Sequence, residues 1–206
     1  MQHSLHVEGF GLCLRPVSMA DAEFIVSLRN QDYVKGWVGD SATDVISQQK
    51  WLEKYFERAG DCYFIIETPG GLPLGTGALY EIAGNRAEWG RFIMRPEVPA
   101  ALPAAVLFFN LAFEQLGLRE LLARCVSTNL IMRSLVKKWG FRQTETKPAG
   151  QIIGGRPVDI VHFVLAAGKW IECRRHLLGL SEFAGTQIEK WEKQMDATRT
   201  ADQVTY

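Results

Sequence analysis

Residues 63–95 hold three apolar stretches, Tyr63 to Thr68, Leu74 to Ile82 and Ala87 to Arg95, separated only by turn residues at Gly70-Gly71 and Gly84-Asn85. Strands joined by turns this short pair as an antiparallel meander. Such a sheet has to bury at least one face, and the flanking segments supply covers for it. Phe10 to Arg15 reads as one strand with Leu12 and Leu14 on a common face, and Pro16 with Ser18 then starts a helix over Asp21–Arg29, with Ser18 as its N-cap. A second helix is expected from about Thr43 to Arg58, burying Ile46, Trp51, Leu52, Tyr55 and Phe56.

Past the meander, a helix from about Pro103 to Leu116 ends at Gly117, and Leu121 to Val126 reads as a strand. Asn129 to Trp139 gives a further helix, stopped by Gly140. A strand starts at Phe141, a polar loop surrounds Gly154-Gly155, and another strand runs from Val158 to Leu165. Two helical segments, Trp170 to Leu178 and Glu182 to Met195, complete the chain. In the second, Phe183, Ile188, Trp191 and Met195 form an apolar stripe that would pack on the domain or on a second copy in a homodimer.

The expected class is therefore α/β (α+β), with a central mixed, mostly antiparallel sheet of about seven strands flanked by helices. One domain would span residues 1–167, and residues 168–206 would form a C-terminal helical extension. A chain of 206 residues that is 47% hydrophobic can bury such a core. The 23 Lys and Arg residues balance 23 Asp and Glu, so no global field draws the chain to nucleic acid or to an anionic membrane.

The longest apolar stretch, Pro99 to Phe113, is broken by Pro103 and Asn110 and falls short of the roughly 20 residues that span a bilayer. The first residues lack the basic start and apolar run of a secretory signal, which makes a cytoplasmic location the default. Cys13, Cys62, Cys125 and Cys173 lie far apart in apolar settings and read as buried thiols. His3, His6, His162 and His176 show no metal-ligand spacing, so metal-free chemistry is expected.

Several local motifs occur in a telling order. The chain opens with Leu14-Arg15-Pro16 and Asp21-Ala22, carries Glu88-Trp89-Gly90-Arg91-Phe92 in its centre, and ends a helix with Ala112-Phe113 and Leu116-Gly117-Leu118. It then has Asn129 followed by Lys138-Trp139-Gly140-Phe141. Over residues 10–166 this resembles the GNAT superfamily of N-acetyltransferases, closest to the branch with ribosomal-protein N-terminal and amino-sugar acetyltransferases. The resemblance implies acetyl-CoA as co-substrate. Backbone amides near Phe92, Ile93 and Met94 would hold the donor, and Asn129 would lie beside its pantetheine arm.

In one place the chain departs from that family. The segment from Arg95 to Ala105 contains no glycine where most members carry a glycine-rich loop for the pyrophosphate. Pro103 suits a first helical turn, and no Ser, Thr, Asp or Asn stands there to cap it. The helix start at Ala100, Ala101, Leu102 and Ala104 would then offer its amides to an anion. The competing reading is an apolar helix start buried in the core.

Amide formation from a thioester needs an unprotonated amine, stabilisation of the developing oxyanion and a proton for the departing thiolate. Glu88 is the first candidate for the base, with an exposed carboxylate paired to Arg91 or Arg86 as the alternative; Tyr80 is the second catalytic candidate. Glu81 and His162 follow them. The tyrosine that many family members use as acid is replaced by Val136.

On the acceptor side, Trp37, Trp89 and Tyr80 could stack on a base or sugar ring, Arg29, Lys35 and Arg91 could pair with a diphosphate, and His162 completes the substrate set. That set points to a small-molecule amine acceptor, a nucleotide-linked amino sugar. The alternatives are a protein N-terminus or a catalytically silent binding module.

Overall fold

The computed structural model describes residues 3–39 and 44–203. Thr43, the expected start of the second helix, lies outside them. The sheet has eight strands in the order β1-β2-β3-β4-β5-β6-β8-β7. They are β1 (Val7–Gly9), β2 (Leu12–Pro16), β3 (Cys62–Glu67), β4 (Pro73–Ala83), β5 (Arg86–Met94), β6 (Glu120–Val126), β7 (Arg142–Ile153) and β8 (Arg156–Ala166). Every neighbouring pair is antiparallel except β5 and β6, which run parallel. The mixed, mostly antiparallel sheet is the expected architecture, with one more strand than the periodicity indicated.

The additional strand corrects the reading of residues 10–15 as one element. Phe10 and Gly11 both have positive φ, 53° and 68°, and form a two-residue turn that folds β1 back on β2. A type I′ hairpin turn needs that conformation at both central residues. The phenylalanine hid it, since aromatic side chains rarely accept positive φ.

Among the described residues five α-helices accompany the sheet: α1 (Ala22–Arg29), α2 (Val45–Phe56), α3 (Ala101–Asn110), α4 (Leu130–Lys138) and α5 (Ala167–Gln203). Along β3 the side chains alternate. Phe64 and Ile66 enter one core with α3 and α5, while Tyr63 and Ile65 enter a second core with Ile25 of α1 and Leu52 and Tyr55 of α2. The first core is dense in aromatic rings, with Trp89, Phe109, Trp139, Phe141 and Trp170 in mutual contact.

The third helix is shorter than expected as an α-helix. After Asn110 the chain widens into a π-helical turn over Leu111–Gln115, closed by a Leu116 N–H to Leu111 carbonyl bond of 2.9 Å, and ends at Gly117 with φ 65°. Ser18 is an N-cap, as expected, but of the 3-10 turn Met19–Asp21 that leads into α1, in a capping box with Asp21. Its backbone N–H and its hydroxyl both donate to the Asp21 carboxylate, at 2.7 and 2.8 Å, at the head of a 3-10 turn that precedes α1.

The two expected C-terminal segments are one continuous helix. Gly179 stays helical, and the fully buried Ser181 returns its hydroxyl proton to the Leu177 carbonyl at 2.8 Å. The buried stripe consists of Trp170, Leu177, Ser181 and Ile188, with Trp191 packed beside it; Phe183 is 69% exposed. Gly185 lets α5 press onto the hairpin turn, because a Cβ there would meet the Phe10 backbone at 2.9 Å. Among the described residues no helix is long and apolar enough to cross a membrane.

Candidate active site

The parallel ladder between β5 and β6 runs from Arg86 and Glu120 to Trp89 and Ala123 and stops there. Gly90–Met94 and Arg124–Val126 continue without pairing to each other. At the same point β5 bulges: Ala78 faces Gly90 and Thr76 faces Ile93, so Gly77 stands opposite both Arg91 and Phe92. Arg91 takes the extra residue's strain with φ 49°, and its carbonyl accepts the Thr76 hydroxyl at 2.9 Å. Gly77 is needed here, because a Cβ would lie 2.6 Å from the Phe108 ring of α3.

The bulge sorts the side chains of β5. Trp89, Phe92 and Met94 turn to the α3 and α5 core. Ile93 packs with Leu28 and Val34 on the α1 side, and Glu88 and Arg91 point to that side as well. Trp89 is 2% exposed and stacked among core aromatics, which corrects its assignment to an acceptor ring. Its place opposite Glu88 in the two-residue repeat put it on the wrong side for stacking on a ligand.

Glu88 is 5% exposed, and neither of the anticipated arginines is its partner. Arg86 pairs with Glu120 at 2.9 Å and Arg91 with Asp61 at 2.6 and 2.9 Å. Glu88 Oε1 instead accepts the Tyr80 hydroxyl and the Arg124 Nε–H, the latter at 2.7 Å. Burial, and then the Glu88 charge, push the Tyr80 phenol well above its ordinary range. Burial works against the charge on Arg124, but the bond to Glu88 outweighs it and holds the guanidinium protonated.

Gly90 carries part of this geometry, since a Cβ there would approach the Tyr80 hydroxyl to 2.8 Å. Tyr80 therefore lies directly over the backbone where the strands part. His162 is the cross-strand partner of Arg124 on β8, and its Nδ1 is 3.9 Å from Glu145. Glu81 sits at φ 53° with its carboxylate 4.0 Å from Arg124 and is largely exposed.

Arg124 was absent from the expected site. The parallel pairing that brings β6 beside Glu88 comes from a crossover, which no local spacing records. The available signal was a lone arginine inside the otherwise apolar run Leu121-Leu122-Ala123-Arg124-Cys125-Val126.

The helix starts on the two parting strands differ. Ala100 at the head of α3 has no side-chain cap, and Ala100 and Ala104 are fully buried with Ala101 and Leu102 half-buried. The Ala104 N–H bonds the Ala100 carbonyl at 3.0 Å and Pro103 has no N–H, so the anion-facing donors are the amides of Ala101 and Leu102. These residues fit a phosphate with fewer donors than a glycine-rich loop offers.

Asn129 caps α4, its Oδ1 accepting the Met132 N–H at 3.0 Å. The helix closes with Gly140 N–H to Lys137 and Phe141 N–H to Val136, a Schellman pair with Gly140 at φ 98°. One turn into α4, Arg133 donates to the Ser127 carbonyl at 2.6 Å, while its buried Nε–H finds no acceptor among the described residues. An orphaned cationic donor beside the parting strands fits an anionic ligand as well.

Of the residues expected to hold a diphosphate, Arg91 is committed internally. Its guanidinium is clamped by Asp61 and lies over the rings of Tyr80, Trp51 and Tyr63 at 4.6, 5.3 and 5.5 Å. Arg29 is half-buried and donates to the Gly39 carbonyl at 3.2 Å. Lys35 pairs with the exposed Asp32 at 2.6 Å. Trp37 is 38% exposed and remains open to solvent.

Residues 11–142 match the acetyltransferase (GNAT) domain family, and the chain belongs to that family. Solved structures agree on the fold. A GCN5-related N-acetyltransferase from Brucella melitensis superposes with a TM-score of 0.76 at 20% identity, covering 87% of this chain and 86% of that one. FdhC, described as a nucleotide-linked sugar GNAT, gives 0.69 at 24% identity over 84% and 97% of the two chains. The Vibrio cholerae spermidine N-acetyltransferase solved with CoA and spermine gives 0.70 at 20% over 79% and 99%. No curated protein matches by sequence.

Proposed function

We propose that this protein transfers the acetyl group of acetyl-CoA to a primary amine of a small molecule, and that the acceptor class is a nucleotide-linked amino sugar. The observation that carries the chemistry is the Tyr80–Glu88–Arg124 network at the point where β5 and β6 part. Both bonds fall on Oε1, leaving Oε2 of Glu88 to take the proton of the amine, directly or through a water. Arg124 lies against this carboxylate as its counter-ion. Tyr80, held neutral, is the proton donor for the departing thiolate, and the proton collected by Glu88 restores the phenol.

Acetyl-CoA supplies the activated acyl thioester. The residues assigned to hold it are the Phe92–Met94 backbone, the α3 amides of Ala101 and Leu102, and Arg133 at its anionic end. Arg91 spends both Nη groups on Asp61, whereas the exposed Arg124 spends its Nε–H on Glu88, so the acceptor's diphosphate falls to the remaining N–H groups of Arg124 and to His162, and the exposed Trp37 offers a ring face.

The test has two arms on the full chain. Calorimetry with CoA measures donor binding, and labelled acetyl-CoA is offered with a panel of amino-sugar nucleotides, spermidine and peptides of varied first residue. The expected result is CoA binding and transfer to amino-sugar nucleotides. Transfer to peptides alone would make the protein an N-terminal acetyltransferase, and no CoA binding would make it a silent GNAT-fold module.

A further inference from the structure

We propose that His6, Glu8 and Cys13 form a binding site for a divalent transition metal of the zinc class, at the far edge of the sheet from the acyl-transfer face, where the ion would clamp β1 onto β2. The sequence spacing conceals the site, and the hairpin creates it. Glu8 and Cys13 are direct cross-strand partners, and His6 lies two residues before Glu8, so all three side chains leave the hairpin on one face. Val7 and Leu14, the alternate pair, face the core.

The donor atoms converge on a point. The Cys13 Sγ is 3.0 Å and the Glu8 Oε1 3.2 Å from the same ring nitrogen, His6 Nε2, and all three atoms lie within 4.8 Å of one another. Tetrahedral zinc with bonds of about 2.0–2.3 Å sets its ligand atoms roughly 3.3–3.6 Å apart, so the two contacts to Nε2 open by a few tenths of an ångström, and rotation of the exposed Glu8 side chain adjusts the sulfur–carboxylate separation, which is within 4.8 Å. One sulfur, one imidazole and one carboxylate are a donor set that zinc and cobalt(II) accept, with water in the fourth position.

The same atoms do not make a nucleophilic triad. There the thiol and the carboxylate occupy opposite nitrogens of the imidazole, whereas here both meet Nε2. Burial, then the nearby Glu67 and Glu8 charges, push the Cys13 thiol up to about 11, the reverse of what an activated nucleophile needs. A metal ion bound at the sulfur adds far more positive charge there than the nearby Arg15 does, and the thiol releases its proton to solvent as the sulfur–metal bond forms. Cys13 is buried while His6 and Glu8 reach solvent, which leaves the ion a path of entry.

The experiment titrates the tag-free full chain with cobalt(II) and then displaces it with zinc. One equivalent of cobalt should produce a thiolate-to-metal charge-transfer band that zinc abolishes, and zinc should raise the melting temperature. Cys13→Ser and the surface substitution His6→Gln should each abolish the band, while Cys62→Ser and Cys125→Ser should leave it. Glu8→Gln should keep the band and weaken cobalt binding about tenfold or more. Absence of the band, or its survival in Cys13→Ser or His6→Gln, overturns the site. An unchanged affinity in Glu8→Gln removes the carboxylate and with it the three-ligand site. His6→Gln and Glu8→Gln alter exposed side chains, so neither outcome can be a failure to fold.

Discussion

The two sides of β5 are built from opposite materials. Trp89, Phe92 and Met94 enter a core of apolar side chains and aromatic rings packed with α3, α4 and α5. One residue away, Glu88 and Arg91 face a side where charges are paired, the buried Glu88 with the exposed Arg124 and the half-buried Arg91 with Asp61. The difference shows how a single strand serves two purposes. Packing on one side fixes the strand's position, and the other side can then hold a carboxylate and a phenol in a defined mutual geometry.

The largest expected effect tests the apolar side. Trp89→Ala should cost about 3–5 kcal/mol of unfolding free energy, read from urea denaturation, since the indole leaves a cavity among rings that cannot close on it. A loss below about 1 kcal/mol would mean that the ring is not the keystone of that face. Turnover of the folded fraction should fall as well, because the strand that carries Glu88 loses the packing that positions it.

Glu88→Gln reverses the pattern. Turnover should drop about 100-fold while CoA affinity and melting temperature change little, as loss of a base predicts. Wild-type turnover in a folded variant would reduce Glu88 to a structural partner of Arg124.

A smaller effect sharpens the contact between the sides. Gly90→Ala places a methyl group against the Tyr80 hydroxyl and should lower turnover about tenfold through displacement of the phenol. In a Tyr80→Phe background the same change should add little, because the displaced group is already gone. Independent, additive losses would separate Gly90 from Tyr80.

The smallest lies at the outer end of the charged side. Asp21 accepts two bonds from Arg15, each 2.8 Å, and two from Ser18. Burial opposes its charge, but these bonds outweigh burial and hold the carboxyl below its ordinary range. A depressed carboxylate contributes stability that is present above the unfolded value, about pH 4, and is lost as pH falls through the folded value. Asp21→Asn should therefore melt below wild type at pH 7, by about 1 kcal/mol, and the gap should close in acid below about pH 4. A gap independent of pH would assign the effect to packing.

Much of the fold was legible because its signals are local. The meander of β3, β4 and β5 follows from two short turns, and Gly117 and Gly140 stop their helices where positive φ is needed. Asn129 was legible as a helix start, and the structure adds that its side chain is spent on the cap. The hairpin at Phe10-Gly11 and the unbroken α5 were not legible. In both, a contact made by a distant segment, α5 against the turn, supports a conformation that the local residues do not announce.

The sequence by itself determined which residues can carry charge, which must be buried and where the chain can turn, because these depend on side-chain chemistry and on backbone freedom at single positions. That was enough for the family's fold and for Glu88 and Tyr80 as the chemical candidates. Only the tertiary structure decided the pairing. It gave Glu88 to Arg124, Arg91 to Asp61 and Trp89 to the core, and it set His6, Glu8 and Cys13 together at the β1 edge of the sheet. The physical reason is that strand neighbours in a sheet are chosen by crossovers and register, and a one-residue change in register or a single bulge sends a side chain to the other face.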